Sequence, residues 1–145
     1  MEEENDNVKL LKECDSGVKM GIDGISHVIE NAKGENFRKL LEDYENRHKK
    51  METQIKKKLI EEGANEKDYS TMLGATSWMT TKMKMMMDDS NEKIADLMID
   101  GCNMGIKGVS KYMNKYGGAS QDSMDLANQV VTMEQNFSND LRQYL

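Results

Sequence analysis

Two short stretches of the sequence decide the fold, because they are nearly the same. One reads Met20-Gly-Ile-Asp-Gly-Ile-Ser26 and the other Met104-Gly-Ile-Lys-Gly-Val-Ser110, and Gly17 and Gly101 extend the match. Glycine inside a helix costs about 1 kcal/mol relative to alanine, so close approach of packed helices is the simplest compensation. The repetition indicates two equivalent helical units, the alternative being chance similarity between two amphipathic helices.

A glycine turn follows each copy, at Gly34 and at Gly117-Gly118, so each copy opens a helical hairpin. Around the repeats, apolar residues recur at intervals of three and four, as in amphipathic helices. The predicted helices cover about 5–31, 35–62, 91–116 and 120–144, with a long, partly helical crossover at 66–88. Their predicted core seams are Val8, Leu11, Val18, Ile22, Ile25 and Ile29; Phe37, Leu41, Tyr44, Met51, Ile55 and Leu59; Ile94, Met98, Gly105, Val109, Tyr112 and Tyr116; and Met124, Ala127, Val131, Phe137, Leu141 and Leu145.

Composition limits the class of protein. The 145 residues suit one domain, 1–145, and the absence of proline favours long helices. A net charge of -6 gives no general attraction to nucleic acid or anionic lipid, so neither partner is expected. No apolar run is long enough to span a bilayer and the first residues are acidic, which predicts a cytoplasmic protein. Cys14 and Cys102 form neither a disulfide framework nor a zinc motif.

The stretch from Met85 to Ile106, which holds Asp-Asp-Ser-Asn-Glu-Lys-Ile-Ala-Asp-Leu-Met, resembles the third-helix region of bacterial ferritin-like four-helix-bundle proteins of uncharacterised function. Met20 to Asp23 and the region of Glu134 share the resemblance. It implies an all-α, ferritin-like four-helix bundle made of two repeated hairpins joined by a crossover. It also implies distant kinship with rubrerythrin, which permits di-iron chemistry without requiring it.

Chemically active side chains interrupt the seam of every long helix: Asp15, His48, Cys102 and Glu134. Glu45 stands one turn before His48, the Glu-x-x-His spacing used by carboxylate-bridged metal sites in helical bundles. Counted from the turns, His48 lies one turn from Asp15, and Cys102 lies level with Glu134. The five residues could therefore share one layer and hold a single Fe or Zn ion.

The di-iron pattern is incomplete, since Cys102 stands where a carboxylate is expected and Phe137 where a second histidine is expected. The alternative is a metal-free core. There, His48 and Glu134 would form a hydrogen-bonded pair and Cys102 would be a small core residue. The other two candidates would be surface charges, Asp15 at a helix edge and Glu45 on the outer face. His27 is expected to be exposed.

The segment 66–88 carries Met72, Trp78 and a cluster of five further methionines at Met79, Met83 and 85–87. Methionine commonly fills irregular gaps in a core, whereas a copper site built on thioethers is the alternative. No nucleophile elbow or Walker loop is present in the sequence, so catalysis is not the favoured function.

The favoured hypothesis is a non-enzymatic bundle that associates with itself or with a protein partner, in stress or dormancy as in some ferritin-like relatives. This hypothesis is based on a Met-rich and aromatic surface expected from the sequence, since such a surface suggests association. A metal-binding or redox bundle is the rival. An iron-storage or peroxide-handling protein in the style of rubrerythrin ranks last, because a second site histidine and rubredoxin-type cysteines are absent from the sequence.

Overall fold

A computed structural model describes residues 5–64 and 89–145, and these ranges contain four α-helices and no strand. α1 is Asp6–Val28, followed by a 3₁₀ turn at Ile29–Asn31; α2 is Glu35–Glu61; α3 is Asn91–Lys115; and α4 is Gln121–Leu141, followed by a 3₁₀ turn at Arg142–Tyr144. The predicted all-α four-helix bundle is confirmed, and its helix ends agree within one residue once the 3₁₀ turns are included. The predicted crossover at 66–88 lies outside the described residues.

Short polar side chains begin three of the helices. Asn5, Ser90 and Ser120 each accept a hydrogen bond from a backbone N–H of the first turn, which satisfies a donor that has no partner within the helix. Gly34 begins α2 with φ of 88°, a backbone conformation that other residues rarely adopt. The sequence predicted that Gly34 would close the first helix. Instead, the 3₁₀ turn ends that helix and the glycine opens the next.

Contacts at the two ends of the bundle fix the direction of each helix. The side chain of Asn91, at the start of α3, exchanges two hydrogen bonds with the backbone of Lys33, just beyond α1. At the opposite end, Asp6 at the start of α1 accepts a hydrogen bond from the N–H of Gly118, just beyond α3. α1 and α3 are therefore antiparallel neighbours. Because each also forms a hairpin, with α2 and α4 respectively, the order along the bundle axis is up, down, down, up.

The core lies between the four helices and joins both hairpins. Tyr44 of α2 stacks on Phe137 of α4 with ring centroids 4.4 Å apart, and Phe37 stacks on Tyr144 at the same distance. All six predicted seam residues of α2 are buried. No helix within the described residues is both long and apolar enough to cross a membrane.

The predicted seam of α4 is partly wrong. Val130, not Val131, occupies the inner position, because all the buried residues of α4 except Met133 follow a four-three alternation: Ser123, Ala127, Val130, Glu134, Phe137 and Leu141. Leu145 is 60% exposed, since the 3₁₀ turn before it directs Tyr144 onto the core instead. Ile22 and Ile29 of the first helix are only partly buried.

Candidate functional site

His48 and Glu134 form a buried pair that joins the two hairpins. The Nε2 atom of His48 lies 2.5 Å from Oε1 of Glu134, and the two residues are 0% and 5% exposed. The other ring nitrogen, Nδ1, lies 2.6 Å from the backbone oxygen of Tyr44, one helical turn earlier. The hydrogen-bonded pair expected from the sequence is therefore present, and its ring is fixed at both nitrogens.

The surroundings of His48 favour its protonated form. Burial alone would lower the pKa of His48, but the charge of Glu134, the hydrogen bond to it and the bond to the Tyr44 carbonyl together raise this pKa above its ordinary value. Both ring nitrogens then donate, one to the carboxylate and one to the carbonyl. The pair is best described as an imidazolium and a carboxylate that neutralise one another inside the core.

The middle glycines of the repeated stretches border this pair. A Cβ atom added to Gly21 would lie 2.5 Å from Cδ2 and 2.6 Å from Nε2 of His48. At the equivalent Gly105, an added Cβ would meet Cγ of Glu134 at 3.6 Å, an ordinary contact. Glycine was expected to permit close packing of helix backbones. At Gly21 it permits the approach of an imidazole ring, so each copy of the repeat lies against one member of the pair.

Cys102 completes the polar cluster from α3. The residue is 2% exposed and borders the same small cavity as Glu134. Burial, followed by the negative charge of Glu134, raises the pKa of this thiol strongly, so it remains protonated and is a poor nucleophile. The predicted proximity of Cys102 and Glu134 is thus found, since both side chains border one cavity.

Asp15 and Glu45 do not join this cluster as the five-residue hypothesis requires. Asp15 is 1% exposed and its Oδ2 lies 2.6 Å from the ammonium of Lys19, one turn ahead on the same helix. Burial raises the pKa of Asp15, and Lys19 only partly opposes this effect. The alternative expectation that Asp15 reaches solvent is also wrong, because Lys19 covers it. Glu45 lies near the surface, and its Oε1 atom is 3.6 Å from Nζ of Lys49.

The donors of the cluster do not fit a metal ion in this arrangement. Among the described residues, no group of three or more His, Cys, Asp or Glu side chains is arranged to hold one. The His48 nitrogen and the Glu134 oxygen bond to each other, whereas two ligands of a tetrahedral zinc ion, each about 2.0–2.2 Å from the metal, would be separated by roughly 3.3 Å. The third donor is a protonated thiol. The predicted mononuclear site of Asp15, Glu45 and these three residues is therefore not assembled.

The space beside the pair is also too small for a substrate. Gly17, Gly21, Gly101 and Gly105 line a cavity of about 10 Å³ that Cys102 and Glu134 also border. That volume is near the minimum needed for one water molecule. The site can hold a proton and a neutralised charge, but it has no room for a reacting molecule.

Sequence reasoning identified the pair and Cys102 but missed the contribution of Tyr44. Tyr44 was predicted only as a core residue, although its carbonyl fixes His48 and its hydroxyl donates to Asp140 at 2.6 Å. The spacing of four residues between Tyr44 and His48 is the signal that could have shown the carbonyl contact. His27, the other histidine, is exposed as predicted, with its side chain 44% accessible.

Comparison with curated proteins gives no match, and comparison with solved structures gives none either. A family model matches residues 6–115, which include α1, α2 and α3 but not α4, the helix that carries Glu134. Since this match covers more than half of the 145 residues, the chain belongs to the family described as Domain of unknown function (DUF2383).

Proposed function

We propose that this chain is a non-enzymatic, ferritin-like bundle that acts by associating with a second copy or with a protein partner. The observation that supports the proposal is that the buried cluster is closed to other molecules. His48 and Glu134 satisfy one another, the Cys102 thiol stays protonated, and the adjoining cavity holds no more than about one water molecule. Since this cluster is closed to substrates, the surface is where the molecule can act.

The ferritin-like assignment is supported by the direction of the helices. Two antiparallel hairpins follow one another in the order up, down, down, up, so α2 ends and α3 begins at opposite ends of the bundle. A bundle with one long connection between its second and third helices has the ferritin-like order. The two copies of the glycine repeat, one in each hairpin, agree with this architecture.

The surface of the described residues carries no large apolar patch that would identify a partner by itself. Its exposed large apolar residues are Ile60, Met104 and Leu145, which lie on different elements. Apolar residues scattered in this way are normal on a protein surface. The Met-rich stretch that motivated the hypothesis lies outside the described residues, so the proposal rests on the closed cluster.

Cross-linking in living cells tests the proposal. Cells that make the tagged full-length chain at its natural level are treated with a short amine-reactive cross-linker, and the chain is detected after denaturing electrophoresis. We expect discrete species above the monomer. Growing and starved cells are compared, because a role in stress or dormancy predicts more of these species on starvation. A chain that remains monomeric in both states would contradict the proposed function.

A second candidate is a metal-binding or redox bundle with one Fe or Zn ion. The observation that favours it is the convergence of a nitrogen, an oxygen and a sulfur donor on one point of the core, from His48, Glu134 and Cys102. A metal would have to separate the bonded His48 and Glu134 and displace the thiol proton.

Elemental analysis decides between the two candidates. The protein is purified without chelator or metal-affinity resin and compared with His48→Ala, while His27→Ala removes an exposed histidine as the matched control. Stoichiometric metal that disappears only in His48→Ala would favour the second candidate. Metal-free wild-type protein would favour the first.

A further inference from the structure

The outer face of α4 differs from the surface of the other helices because its middle part, between the exposed Asp125 and Asp140, lacks charge. Between Asp125 and Asp140, the only ionisable side chain is Glu134, which is buried. By comparison, the longest stretch of α3 without Asp, Glu, Lys or Arg is only 101–106. In the whole chain, 32% of the residues are charged. The exposed residues of the neutral stretch are Asn128, Gln129, Thr132, Gln135, Asn136 and Asn139. They extend over about 20 Å of helix.

This neutral face, residues 126–139, borders an open groove between α4 and α2. The groove has a volume of about 430 Å³, and Met51 and Met133 form its apolar part. Asn128, Thr132 and Asn136 are among the residues that form its α4 wall, and Arg47 and Lys50 are among those that form its α2 wall. Methionine side chains adapt their shape to a contacting surface, and the core of an interface is typically depleted of charged residues. The neutral face and the methionines beside it therefore have the composition of a contact surface, which the two cations border on the α2 side.

We infer that this surface binds the same surface of a second copy of the chain, with α4 of one copy packed along α4 of the other about a two-fold axis. The inference rests on the proposed function and names its partner. In a two-fold contact each patch must complement itself. Amide side chains are both donors and acceptors, so an Asn- and Gln-rich face satisfies this condition, whereas a charged face would oppose like charges.

The net charge of the chain limits where a second copy can bind. Two molecules of net charge -6 repel each other, and the neutral face is where they can approach without placing exposed charges of the same sign together. The face and the groove, about 20 Å long and two helices wide, offer roughly 400 Å². A standard stable interface buries about 800 Å² per partner, so we expect a weak and reversible dimer.

Analytical ultracentrifugation of the full chain tests the inference. Sedimentation is followed from about 1 to about 500 μM, the range that covers a weak interface of this size. Thr132 lies at the centre of the neutral face, where a two-fold axis brings it close to its own copy. Thr132→Glu should therefore raise the dimer dissociation constant at least about tenfold, because two carboxylates would meet. Asn103→Glu adds the same charge on the exposed face of α3 and should leave the dissociation constant unchanged.

Mixing variants gives a result that only a self-contact can produce. Thr132→Lys should also weaken the dimer, and an equimolar mixture of Thr132→Lys and Thr132→Glu should associate more strongly than either variant alone. Circular dichroism checks folding, and Gln129→Glu, which changes charge but hardly shape, replaces Thr132→Glu if the latter does not fold.

Three results would overturn the inference, and they differ in what they say about the proposed function. A wild-type dimer unchanged by Thr132→Glu would move self-association to another surface and leave the proposed function standing. An equal effect of Asn103→Glu would show a response to net charge rather than to this surface. A wild-type chain that is monomeric at every concentration would exclude the self-contact, and the cross-linking in cells would then decide the proposed function separately.

Discussion

His48 and Glu134 form an ion pair in the core, and the energy of such a pair depends strongly on whether both members are present. Removing one member leaves a buried charge without its partner, which typically costs about 3–5 kcal/mol. Replacing both by apolar residues removes the charges together and is often much less harmful. The pair also bridges α2 and α4, so it couples the two hairpins.

A double-mutant cycle measures this coupling. We expect His48→Leu and Glu134→Leu each to lower the free energy of unfolding by about 3–5 kcal/mol, and the double variant to lose less than the sum by about 1–3 kcal/mol. Urea denaturation of the four proteins gives the four values. Strict additivity would mean that the two side chains do not interact as the structure indicates.

The raised pKa of His48 predicts how stability changes with pH. The folded protein holds the His48 proton more tightly than the unfolded chain, whose histidines titrate near pH 6.5. The resulting stabilisation is complete below about pH 6.5 and is lost as pH rises through the higher folded pKa, with a slope of at most about 1.4 kcal/mol per pH unit. Denaturation at several values between about pH 6 and pH 8.5 should show this decrease in the wild type and lose it in His48→Gln. An equal slope in both proteins would assign the effect to other groups.

At the residue scale, the sequence predicted positions along helices better than it predicted the directions of side chains. Counting from the turns placed His48, Glu134 and Cys102 on the correct inner faces. Asp15 and Glu45 were also placed within a turn of the pair, but each has a lysine four residues later that attracts it. The sequence does not show which of two nearby partners a flexible carboxylate selects.

At the scale of the helix, the glycines of the two repeated stretches differ in what surrounds them. Gly21→Ala would place a methyl group within contact distance of the fixed His48 ring, which must then move. Gly108→Ala meets nothing within 4 Å. We expect Gly21→Ala to destabilise the fold by about 1–3 kcal/mol through overpacking, and Gly108→Ala to stabilise it by about 0.5–1 kcal/mol through helix propensity. Thermal and urea denaturation compare the two; stabilisation by both would show that the ring can shift freely.

Helix boundaries were predictable because the sequence contains no proline and marks its helix starts with Asn5, Ser90 and Ser120. The inner face of α4 was less predictable. Val130 and Val131 are adjacent and equally apolar, so periodicity alone does not choose between them. Packing against α2 makes the choice, since Glu134 must face His48, and Val130 lies one turn before Glu134 on that face.

At the scale of the whole molecule, the repeat predicted two hairpins but not the contacts that orient them. The antiparallel arrangement of α1 and α3 depends on polar contacts at both ends of the bundle, such as those of Asn91 with Lys33 and of Asp6 with Gly118. The two residues of each contact are far apart in the sequence, one at the start of a helix and the other in a turn, and none belongs to a seam. No periodic pattern reveals such contacts, because each rests on a single side chain.

The contact between Asn91 and Lys33 therefore leads to a prediction about how firmly the hairpins are joined. The Asn91 side chain accepts from the Lys33 N–H at 2.9 Å and donates to the Lys33 carbonyl at 2.6 Å, so Asn91→Ala removes two hydrogen bonds at once. Each bond typically contributes about 0.5–1.5 kcal/mol, so we expect a loss of about 1–2 kcal/mol.

Hydrogen exchange locates the effect of this substitution. The Lys33 amide should exchange faster in Asn91→Ala, as should the last turn of α1, because the turn between α1 and α2 loses its attachment to α3. Asn103→Ala, on the exposed face of α3, is the matched control and should change stability by no more than about 0.5 kcal/mol. If the Lys33 amide stays equally protected in both variants, the turn is held by the packing of the core, and the side chain of Asn91 has no part in orienting the hairpins.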